Sequence, residues 1–477
     1  MSALHTADIR QSPLGKALSM VPLRDTGDRW AGHWTSEDKD APQTAPVVVS
    51  FRQTTQSPQV ARAPLTMAKF NVHDVALPDI KLSPEREASL IAEVEAVVQN
   101  TLELRSAFAA GGRQLDTSAW KLVKTKDDVR AYRSRRALHG VDPTEGRTDS
   151  SDAHSSSSSS SSRSTMNKLT SIASSASSND SDRFRAKKTA RPPAVVLSGT
   201  VDGTAEDAVL GMLADSEQHC MMRQSYLGTE LEDSRLLFVL ARPTPENPFT
   251  FIGVKWGRQS YGRFSQARDF LFLEATGITK DARGEPVSYG LRQSTDLSDV
   301  LTLPRSHDVL RGHLSVVQTF ANSGIPVAGT RHHSVEMFSR AFLQLDGDVP
   351  VNVAATAFAD KIMALVGTME CATAYKLTWM MKQSARQARP GTSVHGSTSH
   401  CANCTRSLSR FSTLLLQRGG TCQICRRSFC GKCSVNKRIS IGIGSEVMQK
   451  SMLFCLECLL EAKQVSAREV AVDQQKW

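Results

Sequence analysis

The 477-residue sequence has no run of about 18 apolar residues, so no segment reads as a transmembrane helix. Met1 to Met20 scatters charges among short apolar stretches and lacks the apolar centre of a secretory signal. A cytosolic chain is therefore expected. Catalytic signatures are absent too: there is no Gly-x-Ser-x-Gly elbow, no phosphate-cradling Walker loop and no His-Glu-x-x-His. His332 and His333 are adjacent, and neighbours on a strand point to opposite faces, so they read as surface residues rather than a metal or catalytic pair. A non-enzymatic protein is expected. Aromatic residues make up only 6% of the chain and do not interleave its basic stretches, which argues against nucleic acid as a partner.

What is present is positive charge and cysteine. The net charge is +10, which favours anionic partners such as phospholipid headgroups. Of ten cysteines, eight fall between Cys401 and Cys458, leaving Cys220 and Cys371 as expected core residues in apolar surroundings. In a reducing compartment, four Cys-x-x-Cys pairs mean metal rather than disulfides.

Residues 1–66 are rich in Pro, Ser, Gln and Thr without periodicity and read as a disordered extension. Ser83 then looks like a helix N-cap, with Pro84 first in the helix and Glu85 and Glu87 in its first turn. Leu90, Ile91, Val94, Val97, Val98 and Leu102 follow at helical spacing, and Gly111–Gly112 ends the run. Val129 and Tyr132 lie beyond a turn at Asp127–Asp128, which suggests a strand. Residues 145–182, with the octaserine Ser155–Ser162, read as a solvated insert. Thr204 and Asp207 form a capping-box pattern. Strand-like runs cover 194–203, 235–242, 249–258, 268–279, 286–294 and 336–345. A long helix is expected over 353–383, with Phe358, Ile362, Leu365, Val366, Met369, Thr373, Leu377 and Met380 in one apolar stripe. A linker spans 386–399, the cysteine module 400–465 and a tail 466–477.

Seventeen, four and twenty-one residues separate the successive cysteine pairs. Zinc takes four thiolates in a tetrahedron. Cys425 and Cys430 are too close in sequence for the two central knuckles to share an ion easily. An interleaved arrangement gives Cys401, Cys404, Cys430 and Cys433 one zinc and Cys422, Cys425, Cys455 and Cys458 the other; sequential pairing into two separate fingers is the alternative. Closed four-thiolate sites leave no position for water, so both zinc ions are expected to be structural. No histidine follows His400 within the ligand span, unlike RING and PHD fingers.

This stretch resembles the FYVE family. Cys-x-x-Cys, then "RGGTCQICRRSFCGKCS", then "FCLEC" track that family's frame, with Phe429 before the fifth cysteine and Ser434 after the sixth. The family's basic signature is reduced here to "RGGTCQ", keeping only Arg418. Leu453–Cys455 lacks the family's arginine, and no Trp-x-x-Asp precedes Cys401. Those groups grip a phosphoinositide 3-phosphate in the family. Over 401–477, twelve Lys and Arg stand against five Asp and Glu. Leu414, Leu415 and Leu416 precede Arg418 where the family carries a membrane-inserting loop. The resemblance implies docking on an anionic membrane surface or a phosphoinositide. The alternatives are that the leucines pack on the knuckles or that this face meets a protein such as a small GTPase.

The middle of the chain is α+β, an antiparallel sheet wrapping one long C-terminal helix. It resembles START-like lipid-transfer domains over about 80–385. "WKLVKTKDDVRAYR", "RDFLFL" at Arg268–Leu273 and the amphipathic last helix carry that resemblance, and 67–385 is taken as the domain. The resemblance implies an apolar cavity for one lipid, walled by Phe358, Ile362, Leu365, Val366 and Met369, with Arg268 and Asp269 orienting a polar group. The same stripe would also serve as ordinary core, and the charged pair as an ordinary salt bridge. The expected function is a lipid- and membrane-binding adaptor, peripheral on endosomal or other internal membranes. The rival is an interaction adaptor with a filled core and a GTPase-binding finger.

Overall fold

A computed structural model describes residues 80–135, 194–227, 233–260, 266–298, 309–322, 334–345, 347, 349, 351–387, 399–408, 419–443 and 447–475. The N-terminal extension, the serine-rich insert, His332, His333, Leu414, Leu415, Leu416 and Arg418 lie outside them.

Helix α1 runs Pro84–Ala110. The Ser83 hydroxyl accepts the Arg86 N–H at 3.3 Å, and the helix stops at Gly111, ahead of Gly112 at φ +71°. Its inward stripe of Leu90, Val94, Val97, Leu102, Leu104 and Phe108 is buried, as the helical spacing requires. β1 (Trp120–Lys126) and β2 (Val129–Ser134) form a hairpin whose turn places Asp127 at φ +50°. β3 (Val195–Asp202) leads into α2 (Ala205–Met212) through a complete capping box. The Thr204 N–H donates to Asp207, and the Asp207 N–H donates to the Thr204 hydroxyl, each at 3.0 Å.

Next come α3 (Glu217–Leu227), β4 (Asp233–Ala241), β5 (Phe251–Gln259), β6 (Ala267–Lys280), β7 (Pro286–Ser294), β8 (Val309–Asn322) and β9 (Ser334–Leu345). Among the described residues these strands make one nine-stranded sheet in the order β1-β2-β3-β9-β8-β7-β6-β5-β4. The pairings are antiparallel except where Ala267–Asp269 of β6 meets Val309–Arg311 of β8 in parallel. Strand alternation sends successive side chains to opposite faces. Val196 and Phe338 thus pack on Leu104 and Phe108 of α1, whereas Val195, Leu197 and Met337 enter the main core with the helices of the other face.

Those helices are α2, α4 (Val351–Met363) and α5 (Thr368–Gln387). The single long helix expected over 353–383 is in fact two, joined by a 3-10 turn at Ala364–Gly367. Gly367 is a weak helix former, and a Cβ there would sit 3.2 Å from Leu227 of α3, so the tightened turn accommodates the close approach of α3. β8 and α3 have no counterpart in the sequence reading. Arg311, His313 and Gln318 break the apolar pattern of β8, and α3 carries six non-apolar residues in eleven. Cys220 is buried as expected, but its surroundings are not apolar: the Lys255 ammonium donates to its sulfur at 2.9 Å.

The cysteine module adds the short strands β10 (Gly420–Thr421) and β11 (Ser428–Phe429) and the long hairpin β12 (Ser434–Ile443) and β13 (Val447–Cys455). Two C-terminal helices follow, α6 (Leu456–Gln464) and α7 (Ala467–Gln474). The module is not detached. Its Cys401, Cys422, Ile424, Phe429 and Phe454 share a core with Ala374, Leu377 and Met380 of α5.

Candidate functional site

The chain brings the eight module cysteines into two groups. The sulfurs of Cys401, Cys404, Cys430 and Cys433 lie within 4.8 Å of one another, and so do those of Cys422, Cys425, Cys455 and Cys458. This is the interleaved pairing, and it removes the sequential alternative. Four sulfurs each about 2.3 Å from a central metal would stand about 3.8 Å apart. The Cys404–Cys430 and Cys425–Cys455 separations are 3.6 and 3.9 Å. Each four-sulfur set therefore fits one tetrahedral ion, and each could hold a metal.

Local backbone geometry builds the knuckles. Thr405 and Arg426, each following the second cysteine of a pair, sit at φ 56° and 61°. Such values are costly for non-glycine residues and persist where surroundings over-determine them. The turns close through the Thr405 N–H to the Cys401 carbonyl at 3.0 Å and the Arg426 N–H to the Cys422 carbonyl at 3.1 Å. Desolvation works against ionising Cys401, but backbone groups at Cys404, Cys430 and Asn403 outweigh it and bring the thiol down to about 6. At Cys433 the Asn403 amide favours the thiolate, yet desolvation and the neighbouring sulfurs of Cys430, Cys404 and Cys401 push the thiol up to about 11. Four clustered sulfurs resist ionising together, and a bound dication removes that resistance.

A second cluster lies under the helices. Glu274 projects from β6 into a buried set of cations, with Arg223 Nη1 at 2.8 Å, Arg292 Nε at 2.9 Å and the Lys255 ammonium in direct contact. The four come from four elements: α3, β5, β6 and β7. Arg292 stands directly opposite Glu274 in the β6–β7 register. Lys255 also donates to the Ala214 carbonyl, and Arg223 to the Met212 carbonyl at 2.6 Å. Burial opposes ionisation of Glu274, but Arg223, Lys255 and Arg292 outweigh it and hold the carboxyl well below its ordinary range. Arg223, Glu274 and Arg292 line a cavity of about 20 Å³ together with Met212, Leu227 and Leu365. That is room for about one water molecule.

The residues singled out for a lipid cavity fall elsewhere, with one exception. Leu365 lines this cavity. Phe358 and Ile362 belong to the continuous core, with Val366 and Met369 packed on its margin. Arg268 is fully buried and donates to the Gln266 carbonyl. Asp269 pairs with Arg311 rather than Arg268, accepting from Nε at 2.8 Å and Nη2 at 3.0 Å, and it also accepts from the Trp256 indole at 3.0 Å. Neither lines the cavity. Sequence reasoning missed Glu274 and Lys255, although each is a lone charge inside an apolar strand run, "FLFLEATGIT" and "FIGVKWG".

No family model matches the chain, and no curated protein does. Among solved structures, human STARD10 is similar at TM-score 0.32 and 12% identity, covering 59% of this chain and 83% of its own. Human StAR-related lipid transfer protein 5 is similar at TM-score 0.32 and 13% identity, covering 60% and 97%. A STAR-related lipid transfer protein fragment from Xanthomonas axonopodis is similar at TM-score 0.28 and 12% identity, covering 53% and 99%.

Proposed function

We propose that this chain is a non-enzymatic adaptor in which a START-like domain takes up an amphipathic lipid and a FYVE-type, two-zinc finger docks on anionic membranes. One observation carries the lipid reading: a buried ionised cluster of Glu274, Arg223, Lys255 and Arg292 at the seam between sheet and helices, three of whose members line a cavity. Buried ions cost free energy, and a core that only needed filling would do as well with apolar residues. A cluster of this kind offers a polar ligand end both donors and an acceptor. The apolar body of the ligand would lie along Leu227 and Leu365. Its entry requires α2 and α5 to part, because ligand pockets run to roughly 300–1,000 Å³ and this cavity is far smaller.

For the finger, the all-cysteine donor set and tetrahedral spacing support zinc. The interleaved sites, paired hairpins and following helix support the FYVE type. Arg426 and Lys432 are exposed, as are Arg438 and Lys450 on the hairpin. They present diffuse positive charge to a membrane or phosphoinositide surface, which fits a cytoplasmic protein peripheral on endosomal or other internal membranes.

The cavity's size favours a second reading, an interaction adaptor whose core is simply filled and whose finger binds a small GTPase or other protein. Native mass spectrometry of the full chain after incubation with mixed-lipid vesicles separates the two. The lipid reading expects a lipid adduct that the Arg292→Leu variant loses. A chain that carries two zinc ions and never retains lipid sinks that reading and leaves the adaptor.

A further inference from the structure

The last zinc-ligand pair does more than close the finger. Cys455 is the N-cap of α6, and its sulfur accepts the Cys458 N–H at 3.4 Å. The first turn of α6 is therefore part of the Cys422/Cys425/Cys455/Cys458 site. Ala462, further along that helix, is fully buried in the finger core. Two residues after α6 ends, Ser466 caps α7 by accepting the Glu469 N–H at 3.3 Å. α7 then leaves the finger altogether. Ala467, Val470 and Ala471 are buried in the core of the sheet domain, beside Ala208 and Val209 of α2. Val465, between the two helices, packs against both cores.

Polar contacts hold α7 at both ends. The Arg468 guanidinium donates to the carbonyls of Pro245 at 3.2 Å and Glu246 at 2.7 Å, in the β4–β5 connection. Asp473 lies 4.0 Å from Arg386 at the end of α5. α7 thus packs on both α2 and α5. These two helices approach closely at Gly211, where a Cβ would fall 2.1 Å from the Thr368 carbonyl. Met212 and Thr368, at that same junction, line the cavity.

We propose that metal in the Cys422/Cys425/Cys455/Cys458 site is a latch: it fixes α6, α6 sets α7 across α2 and α5, and α7 holds shut the seam over the Glu274 cluster. The latch is read from packing alone; that the seam admits a lipid rests on the function proposed above. Coupling of this kind is reciprocal, so loosening α7 also weakens retention of the metal.

Hydrogen exchange on the full chain tests the latch without any lipid. Chelation is expected to speed amide exchange in 467–474 and 205–212 together, by about tenfold or more, while 286–294 and 309–322 stay protected. Val470→Asp, a charge at a fully buried α7 position, is expected to speed exchange in 205–212 at full metal occupancy and to release metal at lower chelator concentration. Should chelation unfold the whole chain, the Val470→Asp protein decides alone. Unchanged exchange of 205–212 in that variant, with both metals bound, overturns the latch whether or not lipid binds.

Discussion

Replacing Glu274 by Gln keeps the shape of the side chain and removes the negative charge that Arg223, Lys255 and Arg292 share. Side-chain exposure is 4% at Glu274, 0% at Lys255, 5% at Arg223 and 18% at Arg292, so water screens the cluster poorly. Breaking a buried pair by removing one partner costs about 3–5 kcal/mol, because the remaining charge stays buried. Against a total stability of about 5–15 kcal/mol, a loss of that size lowers the urea midpoint markedly. The double variant Glu274→Gln with Lys255→Met removes one cation as well and is expected to recover at least half of the loss. Acid dependence supplies an independent check. The folded carboxyl is held below its ordinary value of 4.5. Its contribution is therefore complete above that value and is lost as pH falls toward the folded value. Glu274→Gln should flatten the stability profile below about pH 4.5 while leaving its slope near neutrality unchanged. Urea titrations at pH 7 and pH 4 decide the matter. A Glu274→Gln protein within about 1 kcal/mol of the parent at pH 7 would show that the cations are satisfied without the carboxylate, and the charged-cluster argument would fail.

Three further outcomes are expected. The full chain should carry two zinc ions by metal analysis, and Cys425→Ser should reduce the count and unfold the finger, since metal binding and folding are linked here; an unchanged count of two would remove Cys425 from the ligand set. Gly211→Ala places a Cβ 2.1 Å from the Thr368 carbonyl, backbone against backbone, and should cost about 1–3 kcal/mol in a thermal or urea melt; a neutral result would mean that α2 and α5 separate readily. Vesicle sedimentation should show weak binding that follows total anionic lipid and falls with salt, at about 1 kcal/mol per basic residue near the surface. A preference for phosphatidylinositol 3-phosphate above about tenfold that survives high salt would reveal a phosphate pocket that Arg418 alone does not explain.

Local chemistry was legible where one short stretch determines it. The Ser83 and Thr204 caps, the Asp127–Asp128 turn, the Gly111 stop and the interleaved cysteines were all read from neighbouring residues and fixed spacings. Features set by residues distant in sequence were not. The break at Ala364–Gly367 reflects the approach of α3, and Gly367 is the one residue within 353–383 that hints at it. α7 has four small or medium apolar residues in eight, three of them buried, too few to signal a buried helix, and its place depends on α2, some 260 residues earlier.

The Glu274 cluster shows the same limit most sharply. A lone glutamate in an apolar strand run and a lone lysine in another are visible anomalies, and each alone would be intolerable in a core. What makes them tolerable is a sheet register that sets β5, β6 and β7 side by side and a helix that drops Arg223 onto the same spot. Arg268 and Asp269 drew attention through a family motif, yet Asp269 is answered locally by Arg311 and Trp256 at the parallel β6–β8 junction, away from the cavity. A charge inside an apolar run is therefore a better pointer to the candidate site here than the motif is, because burial forces such a charge to have partners from elsewhere in the fold. Those partners enclose the space in which a ligand's polar end could compete for them.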